Sequence, residues 1–381
     1  MRILFCLDFY PPHVGGAEIL FGNLAEGLSQ SGHEVQVITQ LVKGSKRKET
    51  RNGVNVTRIP CLGTRYLFSL LCLPTLFKLA SQADIIHATT FASTLPSWLV
   101  SKLTGKPMVL TVHEVWLGKW QLFSDASAIS NFINNIIEHI IYFFNYRNYV
   151  AVSNATAKAL AEAGVDTKKI TVIHNGINYG FWNFRQGQRD AMRRRLSLDG
   201  KFVFLFTGRP GRSKGLMVLM QAFTQIHAKH RNAHLLAIVS DNAAVKSERN
   251  AIAKFISSNG LDDCVTMLPP VPYGELPSYV SCADTVVVPS FSEGFGYAAA
   301  EACALARPVI ASDNASLPEV VSGKVRLVPP RNADALADAM EKALAGDFET
   351  ISPKRFLIED NVRAHATLYR RILDAHGNFR S

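Results

Sequence analysis

Several absences narrow the reading of this 381-residue chain before any motif does. Its six cysteines, Cys6, Cys61, Cys72, Cys264, Cys282 and Cys303, never fall at the short paired spacings of a zinc site or a redox motif, so buried reduced thiols are expected. No uninterrupted apolar run approaches the ~20 residues of a membrane-spanning helix. The most apolar later stretch, Tyr66 to Ala80, is broken by Ser69, Pro74 and Lys78. At the N-terminus, Asp8 interrupts the first apolar run too early for a signal-peptide core, and no small-residue cleavage site follows, so a cytoplasmic chain is expected. Heptads, solenoid repeats and low-complexity tracts are absent, which removes coiled-coil and array architectures. Also missing are a G-x-G-x-x-G fingerprint after the first strand, a P-loop, and any Asp-x-Asp pair of the kind that holds a metal.

Charge is scarce, at 19% of residues, while hydrophobic residues make up 48%, ample for packed cores and inconsistent with disorder. The net charge of +10 favours an anionic partner without choosing one. Basic residues interleaved with aromatics in the pattern of a nucleic-acid module are not found, so no nucleic-acid partner is expected.

Short β-branched runs alternate with amphipathic segments: RILFCL, EVQVIT, DIIHAT, PMVLTV and YVAVS, then KFVFLFTG, HLLAIVS, CVTMLP, DTVVVPS and RPVIAS. That alternation predicts parallel sheets built from βαβ units. It pauses near 175–195, so two doubly wound α/β domains are expected, 1–180 and 181–354. A last helix within 355–381 is expected to pack back on the first. The length agrees with two cores rather than one.

In open α/β sheets the ligand lies at the carboxyl ends of the strands, so the loops that follow strands carry the information. After the first strand, Gly15 and Gly16 leave bare amides at a helix start, able to receive a phosphate or to form a ligand-free tight turn. After KFVFLFT comes Gly208-Arg209-Pro210-Gly211-Arg212-Ser213-Lys214-Gly215, in which Arg209 and Lys214 either hold a diphosphate and stabilise it as it leaves or form only a basic surface turn. The third loop, from Pro289, places Glu293 before Gly294, Phe295 and Gly296, with Glu301 eight positions on along the following helix. Two carboxylates so spaced suit one sugar ring and one ribose diol, because each accepts from a pair of vicinal hydroxyls.

The GGAE loop, the GRPGRSKG loop, EGFGYAAAE and RPVIAS together resemble the retaining nucleotide-sugar glycosyltransferases of family four, which have the GT-B fold of two Rossmann-like domains facing across a cleft. The resemblance runs over nearly the whole chain. It implies a nucleoside-diphosphate sugar donor in the C-terminal domain, with Glu293 on the sugar hydroxyls, the amides of Gly294 to Gly296 on sugar and phosphate, Glu301 on the ribose, and Arg209 and Lys214 on the diphosphate. Gly15 and Gly16 would approach the diphosphate from the N-terminal domain, and His113, just after the strand PMVLTV, would serve the acceptor side. The base would be read by backbone near Leu268 to Tyr273. Transfer with retention of configuration and without a metal or other cofactor is implied. Two departures stand out: His174 to Asn178 replaces the usual Pro-Asn-Gly-Val-Asp, and Ala315-Ser316 replaces glycines. A catalytically silent nucleotide-sugar binder and a same-fold isomerase remain as alternatives.

The acceptor side is the more basic, with a net +6 over residues 1–185 against +4 over the rest. The segment 43–53, KGSKRKETRNG, reads as a basic loop, either solvated or in contact with phosphate or acidic lipid. It precedes the apolar stretch from Arg65 to Ala80, which is either a core helix or a surface that seats the domain peripherally on the inner face of a membrane, facing a glycan or lipid-linked acceptor.

Overall fold

The computed structural model describes residues 1–377 except Gly63 and 242–244. The chain divides into two compact units: Met1–Gly118 with Phe132–Gly176 and Phe356–Ser381, and Lys119–Asn131 with Ile177–Arg355. Residues 119–131 therefore interrupt the first unit and belong to the second.

Unit 1 is an eight-stranded sheet, β1 (Arg2–Cys6), β2 (Glu34–Gln40), β3 (Lys48–Arg51), β4 (Val54–Ile59), β5 (Ile85–Thr89), β6 (Met108–Val112), β7 (Asn148–Ala151) and β8 (Ile170–Val172), in the order β3-β4-β2-β1-β5-β6-β7-β8. All neighbours are parallel except β3 with β4. Central strands such as β5 and β6 are buried on both faces, which is why they read as continuous apolar runs. The 43–53 segment is not wholly a loop: Lys48–Arg51 forms a hairpin with β4 around Asn52-Gly53. The guanidinium of Arg58, only 1% exposed, ties this hairpin down by donating to Glu49 and to the carbonyls of Lys46 and Pro11. Tyr66 to Ala80 lies within two helices, Arg65–Leu71 and Leu73–Gln82, split at Cys72 because Pro74 starts the second. The C-terminal helix Ile358–Gly377 lies on the helix Gly16–Gln30, and Gly27 leaves room there for Val362.

Unit 2 carries β9 (Phe202–Gly208), β10 (Ala233–Val239), β11 (Val265–Leu268), β12 (Thr285–Val288), β13 (Val309–Ser312), β14 (Gly323–Val328) and β15 (Glu349–Ile351), in the order β11-β10-β9-β12-β13-β14-β15. Only β15 runs antiparallel to its neighbour. The strand order reverses between β1 and β5 in unit 1 and between β9 and β12 in unit 2. In doubly wound sheets the crevice that receives a ligand opens at such a reversal. Beneath the second sheet the basic helix Gln186–Arg195 is structural rather than ligand-facing: Arg189 and Arg193 both bond Asp284, whose carboxylate also accepts from the Val203 amide.

Candidate active site

The reversal in unit 2 gathers most of the residues singled out by sequence. The loop after β9 turns through a 3₁₀ segment, Arg212–Lys214, into the helix Leu216–Lys229. Gly215 makes that turn at φ +69°, and a Cβ there would collide with the Pro289 carbonyl, so the loops after β9 and β12 can pack together only because the residue is glycine. The Phe291 amide then donates to the Ser213 carbonyl at 2.7 Å. Across this contact Lys214 Nζ lies 2.8 Å from Glu293 Oε1, which also accepts from Ser290 Oγ at 2.9 Å. Both side chains are largely buried, at 20% and 13% exposure, so the pair is one ionic unit with its charges balanced. Arg209 is exposed and makes no ion pair among the described residues.

Gly294, Phe295 and Gly296 lead into the helix Tyr297–Ala304. Gly296 sits at φ +88° with Leu317 Cδ2 only 2.9 Å from where a Cβ would be. The Phe295 ring is buried and packs edge-on against Tyr297. Glu301 is 6% exposed, and burial raises its pKa well above the usual carboxylate range. A carboxyl in that state can donate one hydrogen bond and accept another, the complement of a diol. Tyr273, near Glu301, stacks on Phe181 at 5.0 Å and meets Trp182 edge-on, an aromatic cluster that sequence reading did not single out. At the departure from the usual glycines, Ala315 takes φ +52°, while buried Ser316 Oγ donates to the Glu293 carbonyl at 3.1 Å and fixes the loop.

Two further groups escaped the sequence reading. The amide of Arg212 donates to both Asp125 carboxylate oxygens at 3.1 Å, so the segment Lys119–Asn131 places a carboxylate on the basic loop. Arg331 lies over the Phe291 and Phe123 rings, at 4.9 and 5.8 Å, and helps hold that segment.

In unit 1, Gly15 is the N-cap of the Gly16–Gln30 helix in extended conformation, and Glu18 fills the space where its side chain would be. Glu18 Oε1 bonds His13 Nδ1 at 3.1 Å, which raises the pKa of His13. His113, after β6, packs edge-on against Phe21 of the same helix; burial lowers its pKa to about 4, and the nearby Glu18 only partly offsets this. Its Nε2 is buried and has no hydrogen-bond partner among the described residues, which leaves one polar atom of the neutral imidazole uncommitted. Gly15, Gly16 and His113 thus share one corner, joined by His13 and Glu18, which no motif spacing had marked.

Residues 14–181 match the model of Glycosyltransferase Family 4, and residues 188–358 match that of Glycosyl transferases group 1. The chain belongs to this glycosyltransferase family. A D-inositol 3-phosphate glycosyltransferase of Pseudarthrobacter chlorophenolicus is 28% identical over 344 residues, 86% of this chain and 81% of that one. Among solved structures, the Anabaena protein HepE in complex with UDP-glucose superposes with a TM-score of 0.76 at 19% identity, covering 100% of this chain and 99% of the other. A sucrose-phosphate synthase from Thermosynechococcus elongatus gives 0.75 at 22% identity, over 100% and 98%. These similarities establish a GT-B glycosyltransferase with two Rossmann-like sheets.

Proposed function

We propose that this glycosyltransferase transfers a sugar from a nucleoside-diphosphate sugar to a hydroxyl of a glycan or lipid-linked acceptor, with retention of anomeric configuration and without a metal or other cofactor. The observation that carries the reading is the Lys214–Glu293 pair at the β9/β12 reversal, with the buried carboxyl of Glu301 on the next helix. The HepE complex, whose ligand is UDP-glucose, supports a donor of the same chemical class here.

In this reading Lys214 swings its charge to the diphosphate together with Arg209, and Glu293 turns to the sugar hydroxyls. As the glycosidic bond breaks, negative charge grows on the leaving diphosphate, and the two cations stabilise it more in the transition state than in the ground state. The acceptor oxygen attacks from the face the diphosphate leaves, and its proton passes to the departing phosphate oxygen, so no protein nucleophile is needed. His113, neutral at physiological pH, orients the sugar or acceptor by a hydrogen bond rather than by charge. Incubation with nucleotide sugars, followed by NMR of the product, tests this: the anomeric configuration of the donor is kept and EDTA leaves the rate intact. An inverted product, or metal-restorable loss of activity, would overturn it.

A further inference from the structure

The outer surface of unit 1 has a feature unrelated to donor chemistry. The helices Arg65–Leu71, Leu73–Gln82, Thr94–Thr104 and the 132–143 stretch of Ala128–Phe143 cover one face of the first sheet, where Phe68, Leu76, Val100 and Ile141 enter a shared core. Their outward residues are apolar too: Leu70 is 63% exposed, Leu103 65%, Phe132 64% and Phe143 83%. Phe77, Leu99, Ile133, Ile136 and Ile140 are exposed alongside them. In these helices the one acidic residue is Glu138, and it is turned inward, 2% exposed, bonding the Trp116 amide and the Tyr142 hydroxyl. Apolar side chains on the outer as well as the inner side are more than a water-facing helix carries.

Beside this face is a recess of about 330 Å³, whose lining includes Lys102, Lys106, Arg147 and Lys169 and no carboxylate. It lies at the amino ends of β6, β7 and β8, the end of the sheet away from His113. Trp98, which lines it, packs at a tilt against Phe144, just past the end of the Ala128–Phe143 helix, with ring centroids 4.1 Å apart, joining the cationic recess to the apolar layer.

We infer that this face is a seat for an anionic lipid bilayer, with the apolar side chains entering the acyl boundary and the recess taking a lipid phosphate. Charge argues for the bilayer over a second copy of the chain, because a two-fold contact through this patch would set its own cations against one another, whereas anionic headgroups neutralise them. The seat differs from the basic hairpin at Lys46 to Lys48, which belongs to the opposite edge of the sheet. It deepens the acceptor side of the proposed function, but it is read by binding rather than by transfer, so either can fail alone.

The test is co-sedimentation with phosphatidylcholine vesicles with and without phosphatidylglycerol. Binding is expected to need phosphatidylglycerol, to weaken as salt rises, and to fall at least about tenfold in Lys102→Gln/Lys106→Gln. The exposed-site pair Phe132→Ser/Phe143→Ser is expected to abolish it, with circular dichroism and the donor-induced rise in melting midpoint unchanged. Equal binding to neutral vesicles, or binding indifferent to both double variants, overturns the inference. So does a wild-type dimer that the serine variants dissociate without any vesicle binding.

Discussion

The two units are built on one plan, yet they distribute charge in opposite ways. At its strand reversal unit 2 holds Lys214 against Glu293, Asp125 against the Arg212 amide and an Arg209 with no ion pair among the described residues, whereas the corresponding corner of unit 1 sets the single pair His13 and Glu18 beside neutral His113 and the amides after Gly15. On the outside the contrast reverses. Every exposed large hydrophobic side chain among the described residues precedes residue 144, and the body of unit 2 from residue 177 to 355 has none. One sheet plan is thus specialised at either of two surfaces. In the proposed reaction the strand-end cations of unit 2 meet the diphosphate, and the corner of unit 1 with its neutral His113 meets the sugar or acceptor.

The largest expected effect breaks the charged side of this contrast. In the proposed reaction Lys214→Ala removes a cation that stabilises the leaving diphosphate, and it leaves Glu293 largely buried without its ion partner, so turnover should fall on the order of 10²-fold or more. Arg209→Ala, which disturbs no ion pair in the described residues, should lower turnover with the melting midpoint unchanged. Steady-state rates and melting curves on the purified variants check both, and near-wild-type rates in the two would dissolve the site assignment.

A pH titration addresses the buried imidazoles of unit 1. His87 is buried among Tyr369, His365 and Thr111; burial first, and then the neighbouring His365 and His113, push its pKa well below that of a free imidazole. Burial likewise brings His365 and His113 down to about 4. Between these values and the ~6.5 of an unfolded histidine, the unfolded chain binds protons that folded unit 1 refuses. Stability is therefore complete above the unfolded value and declines as pH falls from about 6.5 toward 4. Melting in that window should lose unit 1 first, and His365→Gln should flatten the slope. A midpoint insensitive to pH there would mean that these imidazoles are charged in the fold.

A smaller effect is expected at Ala315, whose φ of +52° costs an alanine about 1 kcal/mol that glycine does not incur. Ala315→Gly should raise the melting midpoint by a few degrees or leave it level, because the flexibility glycine adds to the unfolded chain opposes the gain. A clear loss would show that the methyl group is packed.

Sequence reading reached the central strands and the charged loops for one reason: buried parallel strands and strand-end loops have their own local composition. It reached the edge strand β11 but passed over β4 and β14, which lie beside the short edge strands β3 and β15. β3, β8 and β15 are three or four residues long and only partly buried, so their composition is that of loops. Pairings between distant segments were equally silent. Nothing near Asp125 announces Arg212, and nothing near Lys214 announces that its partner in this state is Glu293. The Ala128–Phe143 helix is the clearest loss, since periodicity marks an apolar stripe but cannot say whether protein or lipid covers it. His13 and Glu18 were missed because a His five residues before a Glu means nothing until the helix start brings them together.

Thermal melting against a panel of nucleoside diphosphates and their sugars tests most directly whether unit 2 is a receptor for a nucleoside-diphosphate sugar. A ligand that binds only the folded chain raises the midpoint by mass action, about 2.7 kcal/mol at a hundredfold excess over its Kd. At least one diphosphate should shift the wild type, and Glu301→Ala and Lys214→Ala should each abolish most of that shift. No shift with any member of the panel, or the same shift in both variants, would contradict the central claim.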